Sequence, residues 1–291
     1  VKKNCDGVVV VLNSCNTMQV GELEDDPDID AVLTMCTPGA VGFKSLGKIL
    51  NGTINPSGKT VDTYVADCTL TPTFVNFNKG DDATSYSNAR YTRDIWLAKF
   101  KGGAEFDARF REYEEGVYMG YRWYETAADM GYFTSDNLPD GVTDTYYNRD
   151  NGVVYPLGYG LSYTTFTQKI SAFTEFGNSV TVSVDVTNTG KVAGKDVVQL
   201  YYTAPYTEFD VENMIEKSTV NLLDYGKTKM LEPGESDTVT ITFNKEDMAS
   251  YCFTHDNGNG TKGCYVLEGG DYVISARSDS HNVLDEKTVT V

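Results

Sequence analysis

Carboxylates are the commonest reactive groups in this chain, 42 Asp and Glu among 291 residues, and their most suggestive grouping is Glu114, Glu115 and Glu125. The three bracket Arg122 and the aromatic residues Tyr121, Trp123 and Tyr124 in the run YEEGVYMGYRWYETA. Two carboxylates about 5 to 5.5 Å apart can cleave a glycosidic bond with retention, one as nucleophile and the other as acid and then base. An arginine beside glutamates lowers their pKa, which suits a nucleophile or an ion pair and not a general acid. Acidic residues are so abundant here that structural pairing is the stronger reading of the cluster.

Other chemistries find less support. A Ser/His/Asp arrangement would have to use His255 or His281, and no GxSxG elbow is present. No Walker A, EF-hand or HExxH pattern occurs, and Gly39 and Gly42 do not complete GxGxxG. Six cysteines stand at positions 5, 15, 36, 68, 252 and 264 without a CxxC, so zinc spacing is absent and neither metal nor cofactor is expected. Cys5, Cys15 and Cys36 lie in or beside apolar runs and read as buried free thiols. Cys252 and Cys264 flank FTHDNGNGTKG; a bridge between them is open in an oxidising compartment, with free thiols the preferred reading. Asn51 and Asn259 match Asn-x-Ser/Thr, a pattern that matters only in a secretory eukaryotic setting.

A formal charge of −18 repels phosphate backbones and anionic lipid, so neither nucleic acid nor membrane is an expected partner. A neutral ligand fits better. No run approaches the roughly 20 apolar residues of a membrane span. The chain starts without methionine and enters core sequence within a few residues, as a fragment does. A bacterial cytoplasm is the expected location, with secretion as the alternative.

The elements that must carry these residues fall into two halves. Residues 8–12 and 29–35 are uninterrupted apolar runs, the pattern of parallel strands buried on both faces. A helix is expected from Thr37 and Pro38 to Gly52, with Val41, Leu46, Ile49 and Leu50 facing inward. Doubly wound sheets have about five or six strands, so the remaining strands must lie upstream or in another chain. Residues 60–77 read as extended, with Pro72 arguing against a helix. Residues 78–89 and 136–152 read as polar loops, and Arg90, Arg93, Arg109 and Arg111 as an ion-pairing face. From residue 168 onward, short alternating runs separated by TNTGKVAG, EPGES and EGGD predict an antiparallel sandwich. Its Tyr201, Tyr202, Tyr206 and Tyr225 offer a carbohydrate platform, though core and edge packing is the safer reading. The division is 1–77 for the partial α/β lobe, 78–167 for a joint with a long loop, and 168–291 for the sandwich.

Five segments carry a family resemblance: VVVVLNS, TPGAVGFKSLGKILNGTINPSGK, TVDTYVAD, YEEGVYMGYRWYET and VVYPLGYGLSYTTF. In this order they resemble the C-terminal half of glycoside hydrolase family 3, the β-glucosidase family, with TVDTYVAD similar to its clostridial and rumen branch. Leu157 replaces a usual phenylalanine, and TPGAVGF departs from the commoner PGQEGG wording. The resemblance implies a flavodoxin-like α/β sandwich portion followed by a fibronectin type III-like β-sandwich. It also implies a TIM-like barrel, in another part or another chain, bearing an aspartate nucleophile and acting on β-glucosides or oligosaccharides.

The family's nucleophile follows a Ser-Asp-aromatic motif, which Ser135-Asp136, Ser236-Asp237 and Ser278-Asp279 do not complete. Its acid/base glutamate typically precedes the VVVVLNS strand. No catalytic residue is therefore assigned within this chain. Glu114, Glu115, Tyr121, Arg122 and Trp123 are expected at the pocket rim or the interdomain joint, with Arg122 and Glu115 holding the joint. A non-catalytic carbohydrate-binding or scaffolding module is the alternative.

Overall fold

A computed structural model describes residues 2–68, 71–76, 115–133 and 152–291. Strand β1 (Val9–Leu12), the short helix α1 (Gly21–Asp25), strand β2 (Ala31–Thr34) and helix α2 (Gly39–Leu50) open the chain. The β-branched runs pair in parallel, Val9 with Ala31 through Leu12 with Thr34, and α2 follows at the carboxyl end of β2. Burial on both faces does not hold: Val9 and Val11 are exposed. The expected inward stripe of α2 is likewise corrected, since Leu46 and Ile49 are half-buried while Val41 and Leu50 face solvent. A two-stranded layer offers too little surface to cover both neighbours. The same shortage corrects the cysteines, because Cys5, Cys15 and Cys36 are all exposed.

Strand β3 (Tyr64–Val65) leads to helix α3 (Pro72–Asn76), which overturns the extended reading there. Proline is tolerated at the first helical position, where its missing N–H has no partner to lose. Thr71 Oγ1 accepts from the Phe74 amide at 3.0 Å, capping that turn. Residues 78–89 and the four arginines at 90, 93, 109 and 111 lie outside the described residues, as does the 136–151 part of the second loop. Helix α4 (Tyr121–Asp129) and strand β4 (Val153–Tyr155) follow, β4 running antiparallel to β3. Val20, Tyr64, Ala66 and Val154 form a small core under them.

The rest is a sandwich. Its strands are β5 (Phe166–Phe176), β6 (Ser179–Asn188) and β7 (Val197–Thr203), then, after helix α5 (Glu208–Asn213), β8 (Asn221–Lys227) and β9 (Ser236–Asn244). Strands β10 (Ser250–Asp256), β11 (Lys262–Val266), β12 (Asp271–Arg277) and β13 (Val283–Thr290) complete it. One sheet runs β5-β6-β9, the other β13-β12-β7-β8, and β10-β11 stands apart as a hairpin. Strand β6 shows why: Val180, Val182, Val184 and Val186 alternate with polar residues and all four are fully buried against Val198, Leu200, Ile274 and Ala276. Each such side chain contributes about 1.5–3 kcal/mol by leaving water. The chain is thus a partial α/β lobe followed by an antiparallel β-sandwich.

Candidate functional site

Helix α4 lies against the second sheet of the sandwich. The Tyr121 hydroxyl accepts from the Leu222 amide at 3.0 Å, and its ring meets Tyr201 edge-on at 6.2 Å. One turn further, the Thr126 hydroxyl accepts from the Thr219 amide at 3.0 Å. Between them Glu125, 5% exposed, has both oxygens occupied. Ser280 Oγ donates to Oε1 at 2.9 Å, and His281 Nδ1 lies 2.8 Å from Oε2. The hydrogen bond to Glu125 raises the His281 pKa above its ordinary value, against the opposing effect of burial. Arg277 anchors the same turn through Nη1 to the Ser280 carbonyl at 2.8 Å.

The other residues of the opening cluster are placed as follows. Glu114 lies outside the described residues. Glu115 is buried, with Oε2 lacking a hydrogen-bond partner, and its carbonyl accepts from the Tyr118 amide at 3.0 Å. Arg122 stacks on the Tyr121 ring at 5.9 Å from its centroid, and its Nε is buried without a hydrogen bond. Trp123 meets the Tyr132 ring at 5.5 Å. The ion-pair partner that the structure gives Glu125 is His281, not Arg122.

A second contact ties the α/β lobe to the sandwich through the two most specific motifs, NPSGK and LGYGLSYTTF. Asn55 Oδ1 accepts from Ser162 Oγ at 3.0 Å and from the Tyr163 amide at 2.8 Å, while Nδ2 donates to the Ala193 carbonyl at 3.0 Å. The Tyr163 hydroxyl donates to the Ile49 carbonyl at the end of α2, at 2.8 Å. Backbone bonds pair Thr60 with Tyr159 at 2.7 Å and Gly158 with Thr60 at 2.9 Å. Lys59 Nζ donates to the Gly160 carbonyl at 3.1 Å and sits 3.5 Å from Asp196. Gly158, at φ +83°, leaves no room for a side chain, since an added Cβ would stand 1.9 Å from Gln199 Oε1. Gln199 uses the space, donating to the carbonyls of Gly158 at 3.1 Å and Ser278 at 2.8 Å.

These contacts hold parts together, and both carboxylate oxygens of Glu125 are spent on Ser280 and His281. Ser280 bonds the glutamate and not the imidazole, so no serine nucleophile with an adjacent base results. Nor does any group of three or more His, Cys, Asp or Glu among the described residues form a cation cage. Tyr201 is fully buried, its hydroxyl donating to Gln199 Oε1 at 2.9 Å, while Tyr206 and Tyr225 are exposed. Tyr201 therefore belongs to the core and not to a sugar platform. Sequence reasoning missed Asn55, Gln199, Ser280 and His281 as joint residues; only Asn55 carried a signal, its place at the head of NPSGK.

Comparison with known proteins agrees with this architecture. Residues 1–121 match the model of the glycosyl hydrolase family 3 C-terminal domain, and residues 196–280 that of a fibronectin type III-like domain. Beta-glucosidase A of Butyrivibrio fibrisolvens is 34% identical over 94% of this chain, and the beta-glucosidase of Ruminococcus albus 31% over 96%. The chain spans only 28% and 23% of those two proteins. Beta-glucosidase 3B from Thermotoga neapolitana, solved in complex with glucose, superposes on 98% of this chain with a TM-score of 0.70 at 28% identity, 31% of that protein being covered. With both domain models matched in order and relatives aligned along nearly its whole length, the chain belongs to glycoside hydrolase family 3, as its C-terminal part.

Proposed function

We propose that this chain is the non-catalytic part of a retaining β-glycosidase of the β-glucosidase type, which releases terminal β-linked sugars. In this reading residues 1–77 finish an α/β sandwich, 78–167 form the joint, and 168–291 brace the joint from behind. The nucleophilic aspartate comes from a TIM-like barrel, and the acid/base glutamate from a part of the α/β sandwich other than this chain. The exposed Val9, Val11, Val41 and Phe43 are then faces that the remaining strands and helices of that sandwich cover. Glu115, Tyr121, Arg122 and Trp123 act as the wall between sandwich and pocket, with Glu114 beside them. The setting is a bacterial cytoplasm.

The observation that carries this reading is a likeness along 98% of the chain to a glucose-bound β-glucosidase of which it covers 31%. The joint geometry supports it, since Glu125, a described carboxylate of the cluster, has both oxygens bonded and is consumed structurally. In the full-length enzyme, Glu125→Gln and Glu115→Gln should each leave kcat on p-nitrophenyl β-glucoside within about tenfold of the parent, far from the loss that follows removal of a catalytic carboxylate. A loss of several orders of magnitude with the fold intact would place the chemistry in this chain.

A further inference from the structure

The hairpin β10–β11 presents two cysteines at directly opposed positions. Cys252 pairs with Cys264 in the antiparallel register, one step from the Tyr251–Tyr265 pair. Both are free thiols. Side chains alternate across the strand, so Tyr251 and Tyr265 point outward, their rings meeting at 5.3 Å, while Cys252 is fully buried on the opposite face. That face packs toward α5, where Thr254 Oγ1 donates to Asn213 Oδ1 at 3.0 Å. Directly opposed residues of an antiparallel pair hold their Cβ atoms about 4.5–5.5 Å apart. A disulfide needs about 3.5–4.5 Å, so rotation of the two thiols with a small approach of the strands suffices. Cys252 Sγ rests 3.3 Å from Thr254 Oγ1 and also meets the backbone of Thr254 and His255, weak sulfur contacts that the rotation gives up.

We propose that Cys252 and Cys264 are a redox-closed cross-link site, whose oxidation by a small disulfide staples the hairpin across its strands. The half-exposed Cys264 meets the oxidant first. Its thiolate attacks one sulfur of glutathione disulfide, forming a mixed disulfide and expelling one glutathione thiolate. The Cys252 thiolate then attacks the Cys264 sulfur and expels the second glutathione. Two protein thiols are oxidised, one glutathione disulfide is reduced to two glutathiones, and the two protein protons end on the released thiolates. The ring so closed holds the glycine-rich turn at residues 257–263, where Gly258, Gly260 and Gly263 all have positive φ. In a reducing cytoplasm the pair stays open; exposure to disulfide stress or an oxidising compartment closes it.

The test treats the full-length polypeptide carrying this chain with glutathione disulfide, blocks remaining thiols with iodoacetamide and maps the peptides without reduction. The expected result is an intramolecular peptide pair joined through Cys252 and Cys264, reversed by dithiothreitol and absent in Cys264→Ser. In that variant Cys252 should resist glutathione because it is buried. Proteolysis within residues 257–263 should slow by at least about fivefold on oxidation, as a staple suppresses local opening. The proposal is overturned if glutathione stays on Cys264 while Cys252 is alkylated, if neither thiol is oxidised, or if either pairs with Cys5, Cys15, Cys36 or Cys68.

Discussion

His281 Nδ1 lies 2.8 Å from Glu125 Oε2, joining a turn of the β-sandwich to the helix that crosses it, 156 residues apart in sequence. Ser280, fully buried, fills the other carboxylate oxygen. Glu125→Ala would leave the Ser280 hydroxyl without its acceptor and the Arg277 guanidinium with only Glu286 and Asp279 as nearby carboxylates. Such a loss costs about 2–4 kcal/mol, read as a lower urea midpoint for the unit containing the sandwich. Glu125→Gln keeps an acceptor for Ser280 and should lose roughly half as much. Unchanged midpoints in both would mean that the helix does not brace the sandwich in solution.

The same contact makes stability depend on pH. The His281 pKa is raised in the folded chain, so the contribution is complete below the unfolded value of about 6.5 and fades as pH rises through the higher folded value. Because the side chain is 36% exposed, solvent screening holds the effect below about 1 kcal/mol. The melting midpoint should fall modestly between about pH 6 and pH 9, and His281→Asn should flatten that slope. A slope of opposite sign would contradict the charged pair.

Gly160 tests the contact between the lobes. A Cβ there would stand 2.3 Å from the Gly58 carbonyl, a backbone atom that cannot move aside alone. Gly160→Ala should cost about 1–3 kcal/mol and free the 156–164 segment, measured as faster proteolysis between the lobes. Gly47→Ala, in a helix with nothing within 4 Å of its added Cβ, is the control and should be neutral or slightly stabilising.

Asn55 makes three bonds to the sandwich side. Asn55→Ala should cost about 2–3 kcal/mol and speed amide exchange at Tyr163 and Gly194, the first of which donates to it and the second of which lies against its side chain. Exchange unchanged at both would show that the lobes are held by other contacts.

Much of this was legible from residue types. The alternation in SVTVSVDVTN names the buried face of β6, and the two apolar runs name β1 and β2, because period and β-branching act locally. Pro72 misled, since proline excludes a helix interior but not a helix start. Burial misled at Val9, Val41 and Cys36 because an apolar run specifies a face to be covered and not the element that covers it. Glu125 and His281 were visible as titratable residues, yet their pairing depends on a loop 156 residues away, which no local pattern encodes. The interlock of NPSGK with LGYGLSYTTF was equally remote, though their wording marked both segments as special.

Hydrolysis of p-nitrophenyl β-glucoside by this chain alone, and then together with a barrel-bearing remainder of the enzyme, tests the central claim most directly. The account predicts no turnover above background for the isolated chain and clear turnover once the barrel is restored. Turnover by the isolated chain, abolished by Glu115→Gln or Glu125→Gln, would contradict it and make those glutamates the catalytic pair.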